Sequence, residues 1–121
     1  MILVDASVWI HHLRAADRTL MGLLDIGRVL GHPFVLGELA LGNLRQRDLV
    51  LSALQDLPQA SIARNEEVLQ FIDRHALYGI GIGYMDAHLI ASVRLMAGAV
   101  LWTRDVRSQA AATKLDLAHS A

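Results

Sequence analysis

Four of the twelve acidic residues stand in apolar company: Asp5 in ILVDAS, Glu38 in FVLGELALG, Asp86 in GYMDAHLIAS and Asp105 in VLWTRD. Asp17, Asp48, Asp56, Glu66, Glu67 and Asp73 have polar neighbours or flank turns. Asp25 and Asp116 also sit among apolar residues, so local company alone does not single out the four. Carboxylates gathered without matching lysines repel one another and lose hydration, which raises their pKa values unless a cation neutralises them. Mg²⁺ or Mn²⁺ held by carboxylates and water does this, polarising a phosphodiester and stabilising its leaving oxygen. The chemistry such a cluster implies is metal-assisted phosphodiester hydrolysis.

Whether the four meet depends on the elements that carry them. Residues 2–4 form an apolar run that predicts a strand buried on both faces and ending at Asp5. Helical spacing through Val8, Ile10 and Leu13, then Leu20, Leu23, Leu24 and Ile26, predicts two helices broken near Ala16, with Gly27 as a cap. Residues 28–31 read as a second strand. Pro33 is placed to start a helix carrying Phe34 to Leu44, and another spans 46–56 up to Pro58. Residues 60–63 give a weak strand, followed by a helix to about residue 76 that Asn65 is expected to cap. Glycines at 79, 81 and 83 exclude a helix there; one follows from Tyr84 to Met96 and closes at Gly98. Residues 99–102 are the clearest late strand, 106–114 a short helix and 115–118 a last strand. Strands alternating with helices predict one α/β domain over residues 1–121, a central parallel sheet flanked by helices.

In such a sheet ligands bind at the carboxyl ends of strands, where Asp5 and Asp105 both fall. Asp86 continues a stripe through Ile90 and Val93, and Glu38 shares a face with Val35, Leu41 and Gly42, so both are expected to point inward. Each acid also has a plainer reading. Asp5, Asp86 and Asp105 suit helix caps or first-turn dipole partners, and Glu38 suits the exposed side of a poorly patterned helix. Ser7 and Thr103, each two residues from an aspartate, are candidates to orient carboxylates or bound water, and equally natural turn residues. Arg104 and Arg107 flank Asp105 and are candidate contacts to an RNA backbone, or ordinary surface charges. Pairs such as His11-His12 and Asp86-Ala-His88 lack zinc spacing and read as surface or packing groups; Trp9 and Trp102 read as core.

Composition narrows the rest. Eleven Lys+Arg against twelve Asp+Glu leave a net charge of -1, so no basic footprint announces nucleic acid. The absence of cysteine removes disulfides, thiolate metal sites and cysteine nucleophiles. The N-terminus lacks the basic start of a signal peptide, and no run approaches the roughly 18 apolar residues of a membrane helix, so a cytoplasmic protein without membrane contact is expected. A mean hydropathy of +0.37 is high for so small a domain and predicts apolar surface covered by a partner.

The ordered set VDAS, HPFVLGELALG, GYMDAHLIASV and LWTRD resembles the PIN-domain ribonucleases of the VapC toxin type, over nearly the whole chain. The resemblance implies a PIN fold, a Mg²⁺- or Mn²⁺-dependent endoribonuclease with Asp5, Glu38, Asp86 and Asp105 as metal-binding and catalytic acids, and a VapB-type antitoxin that inhibits it. A homodimer is also implied, with the apolar excess on the first two helices and the Phe34-to-Leu44 helix. Relatives often have asparagine where Arg104 stands and a further acid after the last motif, where Val106, Arg107 and Ser108 follow here. That departure implies one tightly bound ion. Two other functions compete with this reading. A haloacid-dehalogenase-like phosphatase would use Asp5 as nucleophile, but wants a second aspartate where Ser7 stands and a lysine, of which the chain has only Lys114. A non-catalytic RNA- or protein-binding module would keep the fold without the chemistry.

Overall fold

The computed structural model describes residues 1–120 and consists of three short parallel strands wrapped by seven helices. Strand β1 (Ile2–Val4) lies at the centre, between β2 (Val29–Leu30) and β3 (Val100–Trp102), in the order β2-β1-β3. Leu3 and Val4 have no exposed surface, as expected of a strand covered on both faces. Val4 pairs with Trp102, and the Asp5 N–H continues the ladder to the Trp102 carbonyl at 2.9 Å. The carboxyl ends of β1 and β3 therefore lie side by side.

Helices α1 (Ala6–Arg14), α2 (Arg18–Asp25), α3 (Pro33–Ala40) and α4 (Arg47–Gln55) occupy the first half of the chain. In the second half are α5 (Asn65–Arg74), α6 (Tyr84–Arg94) and α7 (Val106–Lys114). The predicted helices are all present, several a turn shorter than their apolar pattern. Pro33 begins α3, and Gly27 adopts the left-handed φ of +69° that a residue just past a helix end requires. Helix α6 is the central one: all of Ala87 to Val93 is buried, and it packs against α5 and β3.

Neither of two predicted strands forms as a strand. Residues 60–63 hold no bridge: the Gly31–Gln59 bridge lies just before them, Ala60 adds one backbone hydrogen bond to Gly31, and the chain then turns into α5. Residues 115–118 contribute only Leu101–Ala118; Asp116 takes a left-handed φ of +58°, so extended backbone cannot begin before Leu117. Asn65 is not the cap of α5 but its first helical residue. Arg64 caps it instead, its N–H donating to Glu67 at 2.9 Å, which frees the Asn65 side chain for another contact. Trp9 is buried as expected, whereas Trp102 is half-buried and packs on His119.

Candidate functional site

Asp5 sits at the turn from β1 into α1. It holds the N-cap position, but its carboxylate makes no capping bond. Its Oδ2 instead accepts hydrogen bonds from the Ser7 hydroxyl at 2.7 Å and the Thr103 hydroxyl at 2.9 Å. A hydroxyl has one proton, so both are committed to Asp5 and both oxygens remain acceptors. Those oxygens are used: Ser7 Oγ accepts from the Arg104 N–H at 3.0 Å, and Thr103 Oγ1 from the Asp105 N–H at 3.1 Å. Two parallel relays thus tie the turn after β3 to the carboxylate ending β1. No hydrogen bond from a described residue reaches Asp5 Oδ1.

The other two aspartates serve as helix caps while lying beside Asp5. Asp105 caps α7, its Oδ1 accepting from the Ser108 N–H at 2.8 Å. Asp86 lies in the first turn of α6, and its Oδ2 accepts from the Gly83 N–H at 3.2 Å. The capping reading was therefore sound for both, and it does not compete with a second role, because each cap leaves carboxylate lone pairs free. Burial pushes the Asp86 carboxyl up from its ordinary value, and the charges of Asp5 and Asp105 add to this, against the pull of the Gly83 N–H and the neighbouring Ser108 hydroxyl. That Ser108 hydroxyl is buried and makes no well-formed hydrogen bond.

Glu38 differs from its expected placement. It lies on the exposed side of α3, not inward, yet it borders the same space. Partial desolvation raises its pKa, followed by the charges of Asp5 and Asp86. The mutual influences, Glu38 with Asp5 and Asp86, and Asp86 with Asp5 and Asp105, bring all four acids into one field. None of them forms a salt bridge with a described residue; the single ion pair there, Arg64–Glu67, is elsewhere. No three His, Asp or Glu side chains of the described residues converge closely enough to make a finished cage. A hard oxygen donor set with surplus negative charge and an open geometry fits a divalent cation that keeps several waters, as Mg²⁺ does.

Behind the acids lies a polar seam that the motifs gave no reason to single out. His32 caps α3: its Nδ1 accepts from the Phe34 N–H at 3.1 Å, so the ring proton is on Nε2 and is donated to the buried Ser92 hydroxyl, also at 3.1 Å. Burial first, and then His88, lower the His32 pKa to about 4. Asn65 Oδ1 accepts from the Tyr84 hydroxyl and from His88 Nε2, leaving buried His88 Nδ1 without a partner. The rings of His32, Phe34, His88 and Tyr84 pack in series with centroids 4.7–5.1 Å apart, the first pair tilted and the other two edge to face. The expected packing role of His88 is thus what the structure has. This seam joins the start of α3, which carries Glu38, to α6, which carries Asp86.

Comparison with known proteins agrees with this architecture. The PIN-domain family model matches residues 2–114. Ribonuclease VapC32 from Mycobacterium tuberculosis, in strains CDC 1551 and H37Rv, is 50% identical over 118 residues, covering 98% of this chain and 95% of the relative. The chain therefore belongs to the PIN-domain family, and within it to the VapC-type ribonucleases.

Proposed function

We propose that this protein is an endoribonuclease, the toxin of a VapBC-type toxin–antitoxin pair, which hydrolyses RNA phosphodiester bonds at a site made by Asp5, Glu38, Asp86 and Asp105. The observation that supports the site assignment is the side-by-side ending of β1 and β3, where Ser7 and Thr103 tie the Asp5 carboxylate to the turn carrying Asp105, with no salt bridge to any of the four acids among the described residues. The 50% identity to a ribonuclease over nearly the whole chain supplies the activity. VapC-type PIN ribonucleases work with a divalent cation, which here is Mg²⁺ or Mn²⁺, one ion bound tightly.

Asp5, with Oδ2 fixed by Ser7 and Thr103, would hold such an ion together with Asp86, Glu38 and Asp105. Bound there, a hard divalent cation polarises the phosphodiester and offsets the charge building on it. Ser7 and Thr103 keep the Asp5 carboxylate from rotating, and the backbone N–H groups of Gly83 and Ser108 do the same for Asp86 and Asp105. Arg104 and Arg107, both exposed, meet the RNA backbone on either side of Asp105. The phosphatase reading is not favoured: Asp5 Oδ2 is occupied by two hydroxyls, and the family match is to a ribonuclease. A binding-only module is not favoured either, since the relative that matches nearly the whole chain is a ribonuclease.

The partner is a VapB-type antitoxin, and the protein forms a homodimer in the cytoplasm. Ile10 and Leu13 on α1, Met21 on α2, Ile26 at its end and Leu41 after α3 are all exposed, and they provide the apolar surface for these contacts. No helix of the described residues is long and apolar enough to cross a membrane.

The test is incubation of purified, antitoxin-free protein with total RNA and Mg²⁺ or Mn²⁺, with EDTA and Asp86→Asn controls, followed by mapping of the product ends. Discrete cuts lost in both controls are expected. Cleavage that persists in Asp86→Asn protein of native fold overturns the site assignment.

A further inference from the structure

A pocket of about 240 Å³ opens between α7 and the loop that follows α5. Its floor is apolar, built from Leu77, Ile80, Ala110 and Ala111, and its rim is cationic, with Arg107 at one end and Lys114 at the other. No acid lines it. Seven residues separate the two cations, about 10 Å along the helix axis, so they meet different groups of a ligand rather than one. His75 completes the rim, its ring packed on Phe71 with centroids 4.7 Å apart. Burial, followed by the neighbouring Arg94 and Arg74 charges, holds His75 below its ordinary pKa, which favours the neutral imidazole.

Two details show that the Arg107 end is shaped rather than incidental. The Arg107 side chain lies across Gly81, whose φ is +85°; a Cβ at that position would stand 2.3 Å from its guanidinium. Arg107 also makes no salt bridge to a described residue, although Asp105 is two positions away. The guanidinium is thus placed by the loop and left available. Arg107 follows Asp105 by two residues, so α7 carries one end of the pocket rim close in sequence to one of the acids.

The volume falls below the roughly 300–1,000 Å³ of drug-sized ligand sites and suits a single ring system. An apolar floor, a neutral imidazole and two separated cations match a nucleobase with the phosphates on either side of it. We propose that this pocket receives one nucleotide of the RNA strand outside the scissile linkage, its base on the Leu77–Ala111 floor and its phosphates at Arg107 and Lys114. The proposal rests on the ribonuclease reading and adds to it a place where the strand is gripped away from the cut.

Two substitutions on the exposed side of α7 test it: Lys114→Ala removes the distal cation, and Ala110→Leu fills the floor with a good helix former. Cleavage kinetics are measured with Mg²⁺, and binding of a fluorescein-labelled single-stranded RNA is measured in EDTA over a salt series. Lys114→Ala should raise KM about fivefold with kcat unchanged, the worth of one exposed charge contact, and should reduce the salt slope of binding by about 1. Ala110→Leu should raise KM and leave the salt slope unchanged. Unaltered KM and binding in both variants overturn the proposal. So does a change in sedimentation of Ala110→Leu without a change in RNA binding, which marks a protein contact instead. If the wild-type protein binds RNA through this pocket but cuts none with either ion, the nuclease reading fails and the pocket stands.

Discussion

At the residue scale, Asp5 is defined by the two hydroxyls that hold it. Each relay ends on a backbone N–H of the turn after β3, so removing a hydroxyl has two effects. In Thr103→Val the Asp105 N–H loses its acceptor and Asp5 loses one of two donors. The first costs about 1–3 kcal/mol, and the second loosens the carboxylate and should weaken divalent-ion affinity about 10–100-fold. Denaturant unfolding and calorimetric Mn²⁺ titration measure the two separately. Thr103→Ser, which retains the hydroxyl, should recover most of the ion affinity; an affinity in Thr103→Val equal to wild type overturns the positioning role. Asp5 and Asp105 were legible in the sequence because strand-end acids in an α/β sheet have few other places to go. The orientation of Glu38 was not. Its helix is apolar on nearly every side, and a pattern without contrast cannot say which side faces water.

At the scale of the elements, the proposed site has Glu38 on α3 and Asp86 on α6 meeting one ion, which requires the two helices to be held in register. The His32–Ser92 bond and the row of aromatic rings hold them. Because His32 is buried and its folded pKa is about 4, below the ordinary 6.5, the unfolded chain binds the additional proton between those values. Stability therefore rises with pH through the window from about 4 to 6.5 and is full above it. This one group accounts for at most about 3 kcal/mol of that rise. His32→Asn keeps an N-cap acceptor for α3 but does not titrate, so its stability should vary less between pH 4.5 and 7 than that of the wild type. Equal pH dependence of denaturant midpoints in the two proteins disproves this. Sequence reading missed the seam because His32, Phe34, Tyr84, His88 and Ser92 lie within two separate motifs and Asn65 outside both, and spacing along the chain does not say which of these side chains meet. It also placed the cap of α5 on Asn65, whose side chain is instead engaged by Tyr84 and His88.

For the whole molecule, the proposed site makes the four carboxylates a source of instability that a bound cation would remove. Glu38 and Asp86 have raised pKa values, so the ion-free fold is favoured while they are protonated and loses that contribution as pH rises through those values. A divalent ion that binds only the folded state restores it, by about 2.7 kcal/mol at a concentration 100 times its Kd. Mg²⁺ or Mn²⁺ should accordingly raise the melting temperature near pH 7.5, have little effect near pH 4, and have little effect at either pH on Asp86→Asn. A shift of the same size in Asp86→Asn places the ion elsewhere. The helical layers were legible from periodicity and the central strand from its apolar run. The extent of the sheet was not, since strand length is decided by partners distant in sequence.

The bridges at its two edges are too short to be strands, yet their position matters. A three-stranded parallel sheet ordinarily leaves two lines of unpaired backbone groups on which other chains can assemble. Here Ala60 and the Pro58 carbonyl occupy Gly31 on the β2 side, while Leu117 and His119 occupy both backbone groups of Leu101 on the β3 side. Pro58, with no N–H to offer, adds no further pairing beyond β2. The segments around Ala60 and Leu117 therefore leave fewer open backbone groups at the two edges on which another chain could pair. Loosening the segment at Leu117–His119 would show itself as fibrillar or amorphous self-association of the protein before any effect on its chemistry.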